Sequence, residues 1–142
     1  LFRSDQVKKI SKNSFNWNEE KTDEARRFLS ELKRIWTEFN NGPFEYMSNK
    51  ISKHYNSLIN IDQDNVVYFI HCREPKEIQK FLDKYGDNCV TLLVRRNNVN
   101  VPNNESDKNV ENFDYDYYID NDGDKEDLKQ KAKEFIKILW TN

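Results

Sequence analysis

Three arginines and a glutamate stand where two apolar runs end. Val66-Val67-Tyr68-Phe69-Ile70 leads into His71-Cys72-Arg73-Glu74, and Cys89-Val90-Thr91-Leu92-Leu93-Val94 leads into Arg95-Arg96. A guanidinium is permanently charged, and its planar fork of N–H donors matches two oxygens of a phosphate. In an open parallel sheet, ligands sit beyond the carboxyl ends of the strands. Arg73, Arg95 and Arg96 on neighbouring strand ends would form a phosphate-binding edge, with Glu74 able to hold magnesium through water. The polar stretch 95–112 has no apolar period and the length of an active-site lid. These features point to phosphoryl chemistry, where positioning and charge neutralisation supply most of the catalysis.

Each residue also has a plainer reading. Arg73-Glu74 suits a helix N-terminus with an acidic first-turn residue and a surface arginine. Arg95-Arg96 can pair with the acidic residues between Glu105 and Asp116. His71 suits the rim of a core, Trp17, Trp36 and Trp140 suit packing, and Tyr115, Tyr117 and Tyr118 suit a strand straddling core and surface.

The elements that must position these residues follow from periodicity. In the first half, Val7 and Ile10 form the inward side of a short helix that Ser4 or Asp5 can cap. Phe28, Leu32, Ile35, Trp36 and Phe39 fall on one face of a longer helix opened by Thr22-Asp23-Glu24 and stopped by Asn40-Asn41-Gly42. Pro43 suits the first turn of a third helix, with Phe44, Met47, Ile51 and Tyr55 inward. The second half changes period. Two buried strands, Val66–Ile70 and Cys89–Val94, flank a helix that starts at Pro75, turns Ile78, Phe81 and Leu82 inward and ends near Gly86. A third strand is expected over Asp114–Ile119. A final helix carries Leu128, Ala132, Phe135, Ile136 and Leu139. This alternation predicts a three-layer α/β/α parallel sheet within one domain, residues 1–142. Three strands are few for such a sheet, and Leu1 is not an initiator methionine. The expectation is a sheet completed by residues upstream of Leu1.

Composition narrows the function. The chain has 142 residues, is 34% charged and carries a net charge of −2, which argues against coating nucleic acid by bulk charge. Its first 60 residues hold eleven basic and eight acidic side chains, and residues 105–142 hold six basic and eleven acidic. No apolar run has the length of a membrane span. Cys72 and Cys89 lack the spacing of a zinc set and read as free thiols in a reducing, cytoplasmic protein. Asp120-Asn121-Asp122-Gly123-Asp124 suggests a calcium loop. With Gly123 at its sixth position, however, the first and twelfth fall on Tyr118 and Lys129, and neither is a carboxylate.

Several segments resemble P-loop nucleotide kinases, in particular phage and bacterial deoxynucleoside monophosphate kinase-like proteins. They are Phe69–Ile78 with its Arg73-Glu74-Pro75, Thr91–Arg96, and Ser106–Asn121. Phe28–Lys33 and Trp36–Phe44 resemble the helical substrate-side region of that group, here residues 4–60, and residues 95–112 its lid. The resemblance implies phosphate transfer from ATP to a nucleoside or deoxynucleoside monophosphate, with magnesium. Arg73 would contact a substrate phosphate, Arg95 and Arg96 would neutralise the transferring group, and Glu74 and Asn112 would lie at the cofactor. It implies a nucleotide or another phosphorylated small molecule as ligand, with no membrane or nucleic-acid partner. A second copy or a protein partner would cover an open sheet edge.

The chain departs from that family in one decisive respect. Its only glycines are Gly42, Gly86 and Gly123, so it contains no GxxxxGK[ST] loop to wrap phosphates with backbone N–H groups. The expectation is therefore either a phosphotransferase whose phosphate loop lies upstream of Leu1, or a catalytically dead kinase-like binding or inhibitor protein.

Overall fold

The computed structural model of the chain describes residues 6–58, 66–97 and 109–141. It divides into two compact units, residues 1–72 and 73–142.

The first unit is helical. Helix α1 (Gln6–Phe15) buries Val7 and Ser11, and the Ser11 hydroxyl donates to the Val7 carbonyl at 2.8 Å. Helix α2 (Asp23–Asn40) is N-capped by Thr22, whose Oγ1 accepts from Ala25 N–H at 3.2 Å, with Asp23 and Glu24 favourably placed in the first turn. Asn41 adopts the left-handed conformation at φ 53°, returns its N–H to the Thr37 carbonyl at 2.9 Å, and starts helix α3 (Gly42–Asn56). At this corner Gly42 lies against the Trp36 indole; a Cβ there would fall 1.8 Å from Trp36 Nε1. Met47 and Ile51 of α3 are buried as their spacing predicts, while Tyr55 is exposed. The inward stripe expected of α2 is only partly buried. Phe28, Leu32 and Trp36 are half-buried, but Ile35 is 54% and Phe39 83% exposed.

The second unit holds the sheet. Helix α4 (Pro75–Tyr85) begins at Pro75, where a missing N–H costs nothing, and buries Ile78 and Phe81. Gly86 ends it at φ 53°, a conformation glycine adopts without strain. Strand β1 (Leu92–Arg95) pairs in parallel with β2 (Tyr117–Asp120), Leu92 opposite Tyr117 and Arg95 opposite Asp120. Helix α5 (Lys125–Thr141) follows, N-capped by Asp124, whose Oδ1 accepts from Glu126 and Asp127 N–H at 2.9 Å. The core gathers Ile78, Phe81, Leu93, Tyr115 and Phe135, with Tyr117 edge-on to Phe135 at 5.3 Å.

This overturns the three-layer P-loop kinase sheet. The described residues are mostly helical, and their sheet has two strands. The first expected strand, Val66–Ile70, contributes a single bridge residue, Ile70, and leaves Val67 and Phe69 41% and 43% exposed. An apolar β-branched run becomes a buried strand only where a neighbouring strand takes its hydrogen bonds and helices cover its faces. No ladder forms on Val66–Ile70 among the described residues. The other two strands exist but start later than their apolar runs, because Cys89–Thr91 and Asp114–Asp116 are spent on the approach to the ladder. Among the described residues, no helix is long and apolar enough to cross a membrane.

Candidate functional site

The strand ends are built by three side-chain clasps, all spanning 25 residues. At the amino end, the Asp116 carboxylate accepts from Thr91 N–H and Oγ1–H, both at 2.7 Å, and Asp116 N–H returns to Thr91 Oγ1 at 2.9 Å. At the carboxyl end, Arg95 Nε donates to Asp120 Oδ1 at 2.5 Å. One step further, Asn97 N–H donates to Asp122 Oδ1 at 2.7 Å and its Nδ2 to Asp122 Oδ2 at 2.5 Å. The constant offset is the parallel register written in side chains, since Leu92 and Tyr117 are also 25 apart.

Arg95 is held at one point. Asp120 takes its Nε–H, the Tyr118 ring lies 5.5 Å from its guanidinium carbon, and among the described residues Nη1 and Nη2 have no hydrogen-bond partner. An arginine carries five N–H donors, so this tether leaves four oriented and open. Hydrogen bonding to Asp120 raises the Arg95 pKa further, and the same bond holds the Asp120 carboxyl below its ordinary value. Lys131 of α5 closes the rim from behind, donating to the Asp120 carbonyl at 2.8 Å and pairing with Asp127 at 2.8 Å. Arg96 is exposed beside Arg95 and makes no ion pair among the described residues.

Among the described residues no hydrogen bond joins the remaining predicted residues to this clasp. Arg73 and Glu74 precede α4, where the Glu74 carbonyl accepts from Glu77 and Ile78 N–H at 2.9 and 3.0 Å. Among the described residues Arg95 contacts Asp120 and the Tyr118 ring, with the Glu111 charge acting on it as well. Asn112 ends a single 3-10 turn, Val110–Asn112, and its amide donates to Asn109 Oδ1 at 3.2 Å. The middle of the expected lid, residues 98–108, lies outside the described residues. His71 is exposed. Cys72 and Cys89 are half-buried and in no disulfide, and burial, then Asp116, pushes the Cys89 thiol up.

The carboxylates of the rejected calcium loop have other partners. Asp120 holds Arg95, Asp122 holds Asn97, and Asp124 caps α5. Among the described residues, no group of three or more His, Cys, Asp or Glu side chains could hold a metal ion. Reading residues singly missed Asp116, Asp120 and Asp122 as positioning residues. The signal was present as aspartates at 116, 120 and 122 set against hydrogen-bond donors at 91, 95 and 97. No protein-family model, curated protein or solved structure matches the chain.

Proposed function

We propose that this chain binds a nucleotide or another phosphorylated small molecule at the carboxyl edge of β1 and β2, and that as it stands it does not transfer phosphate. The observation that carries this reading is the single-point tether of Arg95. A guanidinium fixed through Nε by Asp120 has its Nη edge pre-oriented, so less rotamer entropy is lost when it closes on phosphate oxygens. Arg96 supplies a second charge beside it. Arg73 belongs to the same proposal as an outer phosphate contact.

The non-catalytic half of the proposal draws on the glycines. Gly42 starts α3 against Trp36, Gly86 ends α4, and Gly123 lies against Asp127 before α5. All three serve helix ends, which leaves no glycine-rich loop to wrap a polyphosphate.

Calorimetry on the intact chain with a nucleoside monophosphate tests the binding, and an assay for diphosphate formation with ATP and magnesium tests the chemistry. The expected result is binding that weakens about tenfold or more in Arg95→Gln/Arg96→Gln, with no diphosphate formed. Formation of diphosphate would establish the phosphotransferase instead.

A further inference from the structure

The corner between α2 and α3 carries the only Asn-Gly pair in the sequence, Asn41-Gly42. An asparagine followed by glycine has an internal route to an altered backbone. The Gly42 nitrogen attacks Asn41 Cγ, and the new N–C bond closes a five-membered imide. The side-chain nitrogen leaves as ammonia and carries off the Gly42 proton. Water then opens the imide at one carbonyl or the other, giving aspartate or isoaspartate. Glycine favours the first step, because no Cβ crowds the attacking nitrogen.

The fold controls access to that step. Asn41 is held at φ 53° and ψ 29°. At this ψ the Gly42 nitrogen stands nearly opposite Cβ across the Cα–C bond, whereas imide closure needs the two nearly eclipsed. Both sides of the rotation are tied down. Asn41 N–H donates to the Thr37 carbonyl at 2.9 Å, and its carbonyl accepts from Glu45 N–H at 3.0 Å. The first bond ends α2 and the second begins α3, so turning ψ breaks the junction of the two helices. The Trp36 indole packs over the buried Gly42, so tightly that a Cβ there would fall 1.8 Å from Nε1. The products fare differently in this space. Isoaspartate adds a carbon to the backbone of a corner that has no room for one methyl. Aspartate keeps the backbone, and its charge is unfavourable at the end of α2 and favourable at the start of α3.

We propose that Asn41-Gly42 is a modification site, deamidated only when the corner opens, and that conversion to isoaspartate prevents the corner from closing again. The junction is then a slow one-way clock that counts the time α2 and α3 spend locally parted.

The test incubates the intact chain at mildly alkaline pH, folded in buffer and unfolded in urea, and follows the peptide holding Asn41 by mass spectrometry. Conversion is expected in urea, and at least about tenfold more slowly in the folded chain. The ratio of the two rates should match the amide hydrogen-exchange protection of Asn41 and Glu45 to within about threefold. Trp36→Leu should speed conversion of the folded chain about threefold or more and leave the rate in urea unchanged. Should that variant lose its helical circular dichroism, the exchange comparison on the unaltered chain decides alone. The purified isoaspartate form should melt below the unconverted chain. Equal rates in buffer and urea overturn the proposal, as does conversion of the folded chain that outruns the opening seen by both amides. An isoaspartate form with an unchanged melting temperature overturns the loss of the corner.

Discussion

Arg95 and Asp120 are register partners across two parallel strands, and the arginine is bound to the aspartate through Nε alone. One hydrogen bond thus does two things: it ties the ends of β1 and β2 together and aims the rest of the guanidinium outward.

Removing the tether should therefore cost binding more than folding. Both side chains are close to half exposed, and exposed ion pairs contribute little to stability. Asp120→Asn is expected to weaken phosphate-ligand affinity about five- to tenfold while leaving the melting temperature nearly unchanged. Calorimetry and thermal denaturation on one protein preparation check this.

The same pair sets a pH dependence. Hydrogen bonding to Arg95 lowers the folded-state pKa of Asp120 below its unfolded value. Its contribution is fully present above the unfolded carboxylate pKa of about 3.9 and is lost as pH falls through the lower folded value. The Asp120 side-chain carboxyl resonance should titrate below the ordinary aspartate value, and in Arg95→Gln it should return toward that value.

The clasp at the other end of the ladder should behave oppositely, because Thr91 is buried. Thr91→Val removes the hydroxyl that both donates to and accepts from Asp116. The expected loss is about 1–2 kcal/mol in urea unfolding.

Gly42→Ala should also destabilise, by about 1–3 kcal/mol, since the new methyl would meet the Trp36 ring at 1.8–2.2 Å. Trp36→Leu combined with Gly42→Ala should recover part of the loss, and unfolding of the two single variants and the double measures that coupling.

Cys89 should alkylate slowly at pH 8 and accelerate as pH rises past the ordinary thiol range, because its burial disfavours the thiolate. Peptide mass spectrometry of timed iodoacetamide reactions reads this directly.

Much of the local structure was legible in the sequence. Pro43 and Pro75 open helices, Asn41 and Gly86 close them, and Met47, Ile51, Ile78, Phe81 and Phe135 are buried where their spacing put them. The sheet was not legible, because an apolar run states that a segment can be a strand, whereas a ladder needs a partner that no local pattern names. Val66–Ile70 has the composition and lacks the ladder. Arg95 and Arg96 were legible as strand-end charges from their place after Val94. The offset that gives Arg95 its aspartate is a long-range match between two segments, visible only once the parallel register is known. Trp17 was hidden for a related reason. Its spacing suits packing, and only the backward fold after Asn16 carries its N–H to the Ser11 carbonyl of α1.

The proposed binding rests on Arg95 as a pre-aimed hydrogen-bond donor to phosphate oxygens. The most direct measurement is the pair of Arg95 Nε–H and Nη resonances in a nitrogen-resolved arginine spectrum during nucleoside monophosphate addition. The Nη signals are expected to shift and sharpen while Nε–H, already bonded to Asp120, moves little. Nη signals that stay in place at saturating nucleotide, or an Nε–H signal that moves as far as they do, would contradict it.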